Sequence, residues 1–167
     1  MHHAHEFLLQ SLHRVQEVFL EALDLSQEAG LRDFRLAPLV ARRDMAMLGL
    51  IHGTVLGNPP VQFRSYFRPA SGTPSIRSLR SPELRHNRQL HDPIDGSQGR
   101  MVRDSVLGLI YTYNTLPQTI VDTKNTSTFQ RSLQSGLTRH SWVAGWPNLF
   151  TQGFKRMSIS EFQNLFG

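Results

Sequence analysis

Cysteine is absent from the 167 residues, which excludes disulfide staples, thiolate zinc sites and cysteine nucleophiles and suits a reducing compartment. Long apolar runs are absent too. No stretch approaches the about 18 apolar residues that a membrane-spanning helix requires, and the opening "MHHAHE" is polar where a secretory leader would need an apolar segment. The expectation is an intracellular chain, cytoplasmic or nuclear, with no membrane partner. Lysine is scarce, two residues against sixteen arginines, and a planar guanidinium fork suits bidentate phosphate contact better than an ammonium does.

What is present is unevenly spread. Apolar residues make up 39% of the chain and charged residues 19%, both below the usual globular share, and the apolar deficit lies in the middle. The length is enough for one domain burying roughly two-thirds of its unfolded surface. Charge follows the same division. Residues 1–63 hold five arginines and seven acids, residues 64–103 hold eight arginines and three acids, and residues 104–167 hold five basic residues and three acids. The basic excess therefore sits in the middle third. It fits either a polyanion-contacting segment or a solvated arginine-rich linker.

Periodicity predicts a mainly α protein, a small irregular bundle of about three or four helices with a long basic, partly disordered loop. Four parts are expected: helical residues 1–56, a Pro/Gly/Ser-rich loop over 57–99, a helix-elbow-helix over 100–140, and an aromatic tail over 141–167 with a short terminal helix. Leu8, Leu12, Val15, Phe19 and Leu23 recur at helical steps and define the apolar face of a first amphipathic helix. Ser26 is a candidate cap for a connecting turn weakened at Gly30. A second helix starts near Pro38, is apolar on most sides from Met45 to Leu56, and stops at "GNPP". Short helical pieces are candidates in "VQFRSYFR" and "SPELRHNRQL". A stripe of Met101, Val102, Val106, Leu109, Ile110 and Tyr113 predicts one helix ending at the Leu116–Pro117 step, since Pro117 lacks an N–H and restricts its predecessor. Ser127 and Gln130 have capping-box spacing for a last helix through Phe129, Leu133 and Leu137.

No catalytic group emerges from these residues. The carboxylates are scattered over solvent faces and loops rather than clustered as a two-metal site requires. His2, His3 and His5 lie at a terminus with no second shell to fix them, so no metal site is expected. His52, on the apolar helix, reads as a satisfied core or boundary histidine; His86 and His91 read as parts of a solvated polar stretch. The glycines of "GSQG" and "LGLIHGTVLG" lack both the strand-to-helix context and the Walker lysine, and no Gly-x-Ser-x-Gly elbow is present. No cofactor is implied. Arg42 and Arg43 fall in the first turns of the second helix, where the dipole disfavours cations, so each requires an acid such as Asp44 or a phosphate.

Four stretches in order carry a resemblance: "HRVQEVFLEAL", "LAPLVARRDMAMLGLIHGTVLG", "RHNRQL" and "RDSVLGLIYTYNTLPQTIVDTKNTSTFQRSLQ". Together they resemble the segment downstream of the polymerase domain in non-LTR (LINE-type) retrotransposon reverse transcriptases, over most of the chain up to Gln134. The matching positions are Val15, Gln16, Phe19 and Leu20; then Leu36, Pro38, Leu39, Arg42, Arg43, Ile51 and His52; then Tyr113, where tryptophan is common, Asn114, Leu116, Pro117, Ile120, Val121 and Phe129. The resemblance implies descent from an RNA-directed DNA polymerase and a polymerase domain as partner. The Tyr/Phe-x-Asp-Asp polymerase turn is missing from these residues, so the chain is expected to lack polymerase activity and to contribute RNA or DNA backbone contacts instead. Arg85, Arg88, Arg100 and Arg103 are the foremost candidates for phosphate contact, followed by Arg42 and Arg43. The alternative is a stand-alone helical interaction module with no nucleic-acid role. A further expectation is that the Met45–Leu56 helix exposes an apolar face liable to self-association.

Overall fold

A computed structural model describes residues 2–26, 29–30, 34, 37, 39–58, 60–70, 86–93, 102 and 105–144. Among these the protein is mainly helical, with no strand beyond an isolated antiparallel bridge between Pro69 and Leu90. The helices are α1 (His2–Ala22), α2 (Leu39–Val55), α3 (Leu109–Thr115), α4 (Gln118–Val121) and α5 (Thr126–Ala144), with 3₁₀ turns at Val61–Phe63 and Val106–Gly108. None of the described helices is long and apolar enough to cross a membrane. Two compact units divide the chain inside α2, Met1–Arg43 and Asp44–Gly167.

In the first unit α1 forms as its spacing predicts but turns the other way. Leu12, Val15 and Phe19, expected to be buried, are 54%, 65% and 55% exposed, while Leu20 is 2% exposed. Leu20 packs where Gly30 leaves room: a Cβ there would lie 2.8 Å from Leu20 Cδ2. The helix ends in a Schellman arrangement, Leu25 N–H donating to Leu20 O at 2.9 Å and Asp24 N–H to Glu21 O at 3.0 Å. Asp24 takes the left-handed conformation this requires, at φ 55°. Ser26 then caps a single turn, accepting from Ala29 N–H at 3.1 Å.

The core of the second unit is built from Met45, Leu48 and Ile51 of α2, Leu109, Ile110 and Tyr113 of α3, Leu116, Ile120 and Val121 around the elbow, and Phe129, Leu133 and Leu137 of α5. α2 stops as "GNPP" suggests. Asn58 N–H donates to Gly53 O at 2.9 Å and Gly57 N–H to Thr54 O at 3.0 Å, closing a second Schellman motif with Gly57 at φ 89°. No exposed apolar face remains on Met45–Leu56, where Ala46 is the exposed residue and the others are buried or half-buried. α1 instead exposes an apolar face, at Leu12, Val15, Val18 and Phe19.

Two expected helix starts are displaced. The stripe from Met101 is not one helix: Ser105 Oγ accepts from Leu107 N–H at 3.2 Å and donates to Val102 O at 2.6 Å, capping a 3₁₀ turn, and α3 begins only at Leu109. The cap of α5 is Asn125, whose Oδ1 accepts from Thr128 N–H at 2.7 Å, two residues before the Ser127 expected from the capping-box spacing. Gln130 is drawn into packing instead, lying over Gly49 of α2 so closely that a Cβ there would overlap its amide. α5 also continues to Ala144, four residues into the expected tail; the rest of the tail lies outside the described residues.

Only a residue tolerant of positive φ closes α2 without strain. Gly57→Ala should therefore lower stability by roughly 1 kcal/mol, read as a reduced urea midpoint with unchanged m-value.

A buried histidine–tyrosine centre and the candidate nucleic-acid interface

Pro117 sets the geometry of the centre. It ends α3 with Leu116 extended at φ −63°, ψ 145°, and itself caps α4 at φ −67°, ψ 152°. Asn114 and Gln118, one on each side of this elbow, use their side-chain amides to clasp residues 87–90. Leu90 N–H donates to Asn114 Oδ1 at 2.9 Å and Asn114 Nδ2 donates to Leu90 O at 2.8 Å, imitating a strand pair. Gln118 Oε1 accepts from Asn87 N–H at 2.9 Å, and its Nε2 donates to Asn87 Oδ1 at 2.9 Å and Asp122 Oδ1 at 2.6 Å. On the far side of the same segment, Ala70 N–H donates to Gln89 O at 2.9 Å and His91 N–H to Arg68 O at 2.8 Å. Phe67 and Leu90 are buried by this pairing. "RHNRQL" is therefore built into the fold from His86 onward, as a turn and a bridge rather than a short helix.

The clasp brings two histidines to Tyr113. His52 Nε2 lies 3.0 Å from Thr123 O, which can only accept, so this nitrogen carries the proton; Nδ1 then accepts from the Tyr113 hydroxyl at 3.1 Å. Thr123 Oγ1 donates to Ile120 O at 2.9 Å and sits 3.2 Å from the same Nε2, offering it a second acceptor. His86 obeys the same logic. Its Nε2–H donates to Tyr113 O at 3.0 Å and its Nδ1 accepts from Arg88 N–H at 3.1 Å. Phe129 stacks on His52 with ring centroids 4.1 Å apart and planes at 8°, while His86 meets the Tyr113 ring edge-on at 5.4 Å and 87°.

Burial lowers the pKa of both histidines below the ordinary 6.5, against the raising effect of their carbonyl bonds, and the Arg88 charge lowers them further. Burial pushes the Tyr113 hydroxyl well above its ordinary value. Both rings are thus neutral in the Nε2–H form, with every nitrogen committed. The arrangement is suited to holding three chain segments together. Among the described residues no group of three or more His, Asp or Glu side chains is placed to hold a metal ion.

His52 occupies the core position its sequence context suggests, whereas His86 is buried rather than part of a solvated stretch, because Tyr113 O and Arg88 N–H satisfy it. His91 is exposed. Of the candidate phosphate contacts, Arg42 is exposed and Arg43 half-buried, both in the first unit. Arg88 is half-buried and donates from a terminal guanidinium nitrogen to Val121 O at 2.7 Å, satisfying the last carbonyl of α4. Arg85, Arg100 and Arg103 lie outside the described residues. Sequence reasoning missed the Asn114–Gln118 clasp; the available signal was two amides four residues apart straddling a proline. It also missed a set of exposed groups, Arg64, Tyr66, Arg68, Lys124 and Arg131.

No family model, curated protein or solved structure matches this chain.

The two histidines give stability a pH dependence of fixed sign. In the unfolded chain they titrate near 6.5, above their folded values, so the unfolded state binds more protons as pH falls through that value. In urea titrations stability should be full above it and decline as pH falls through it toward the lower folded values. A His52→Gln, His86→Gln double variant, less stable throughout, should show a flatter profile.

Proposed function

We propose that this chain is the part of a LINE-type reverse transcriptase that lies downstream of the polymerase domain, and that it supports the parent protein by contacting RNA or DNA phosphates. The observation that carries this reading is the convergence of three of the four resembling stretches. Ile51 and His52 from the second, His86 and Arg88 from the third, and Tyr113, Asn114, Leu116, Val121 and Phe129 from the fourth all contribute to one clasped core. Residues far apart in sequence that share one packing unit are those a family pattern would retain together.

The nucleic-acid part of the proposal rests on charge. In the second unit the exposed described side chains include Arg64, Arg68, Lys124 and Arg131, whereas Asp122 is the exposed acid. Arg64 and Arg68 flank the exposed Tyr66 on a segment anchored by the buried Phe67 and the Pro69–Leu90 bridge. Cations beside an exposed ring on a fixed support suit a phosphate backbone with a base stacked on the ring. Such contacts give affinity with little sequence preference.

A second reading, a stand-alone interaction module without a nucleic-acid role, draws on the exposed apolar face of α1. Salt separates the two. Affinity for a single-stranded RNA or a DNA duplex should fall steeply as salt rises, and the Arg64→Ala, Arg68→Ala variant should lose roughly 0.7–0.9 units of log–log slope per phosphate contact removed. Absence of binding to both nucleic acids at low salt would contradict the nucleic-acid reading and favour the interaction module.

A further inference from the structure

α1 leaves most of its described apolar residues exposed. Leu20 is buried and His13 and Gln16 are half-buried, while Leu12, Val15, Val18, Phe19 and Leu23 are each more than half exposed. At 100° per residue the exposed five fall on one arc of about 140°. The apolar surface they leave in water is on the order of several hundred Å², at the upper end of what monomers carry. We propose that this face is a homodimer interface, occupied by α1 of a second copy running antiparallel across a two-fold axis near residues 17–18.

Charge complementarity selects that occupant and that direction. The arc carries no charge. Beyond its Val18 edge stand Arg14 and Glu21, both exposed, seven residues and almost two full turns apart on the same side of the helix. In an antiparallel pair this edge meets its own copy in reverse. Arg14 of one copy then faces Glu21 of the other, twice over, and the apolar arc closes on itself, Leu12 against Leu23 and Val15 and Phe19 near the axis. A parallel pair would bring the charged edge of one helix to the opposite edge of the other, bordered by Gln16, and leave both charges without a complement. The patch is smaller than the about 800 Å² per partner of a standard stable interface, so the affinity expected is micromolar rather than tighter. This inference is independent of any nucleic-acid role.

Sedimentation of the full chain from roughly 1 to 100 μM tests it. The expected result is a concentration-dependent dimer, with Val15→Glu raising the dissociation constant at least ~100-fold while circular dichroism shows unchanged helix content, since Val15 is exposed. Arg14→Glu and Glu21→Arg should each weaken the dimer several-fold, and the two together should return it to within about twofold of the original. Because the chain has no cysteine, direction is read from single introduced thiols. Val18→Cys should cross-link to its copy near the axis. Leu12→Cys should not, because its copy lies about 16 Å away along the helix. A wild-type monomer throughout the concentration range, a dimer indifferent to Val15→Glu, or cross-linking through Leu12→Cys rather than Val18→Cys overturns the proposal.

Discussion

Tyr113 is held at both ends, its hydroxyl donating to His52 Nδ1 and its carbonyl accepting from His86 Nε2. Those two bonds join α2, the segment around residues 86–91 and α3 within a buried space, and Phe129 of α5 seals it by stacking on His52. Little water is at hand there to replace a lost partner, so each polar group depends on the others being in place. The apolar core of α2, α3 and α5 gives most of the driving force for folding. The histidines determine which chain segments close over it.

The elbow at Pro117 makes this arrangement reachable. By ending α3 at Thr115 and restarting at Gln118, the chain places Asn114 and Gln118 beside a stretch of irregular backbone that would otherwise bury unpaired N–H and C=O groups. Arg88 completes the closure by satisfying Val121 O, and its charge adds to the burial that keeps both imidazoles neutral. A centre with every ring nitrogen committed is a fastening, and its consequence for function is rigidity. The exposed groups around Arg64 and Tyr66 are carried on a support whose shape is fixed by the same bridge that anchors Leu90. The proposed stacking and phosphate contacts would both profit from such preorganisation.

Much of this architecture was legible in the sequence where one local rule acted alone. Proline chemistry located the elbow, glycine chemistry located the end of α2, a serine located the turn after α1, and 3.6-residue periodicity located α1, α2 and α5. The readings that changed are those in which tertiary partners outweighed a local pattern. The apolar stripe of α1 identifies a helix but not what covers that stripe, and Leu20 found its place against Gly30 while the stripe stayed in water. Ser127 and Gln130 have capping-box spacing, yet Asn125 is an equally good cap two residues earlier and Gln130 packs over Gly49. His86 lies in a run of arginines that looks solvated, and nothing local reveals that a carbonyl 27 residues away will accept its proton. Arg88 is a candidate phosphate contact in the sequence, and its bond to Val121 O depends on a turn made 33 residues later.

Residues 86–91 belong to the folded core through Tyr113 and Asn114. Native-state hydrogen exchange of the Leu90 amide tests it most directly, because that N–H is bonded to a side chain and not to a helix of its own. Protection should be comparable to that of the Leu133 and Leu137 amides in α5 and be lost selectively in Asn114→Ala while α5 stays protected. Exchange of the Leu90 amide at the rate of an unstructured peptide in the unaltered protein, with α5 protected, would contradict it.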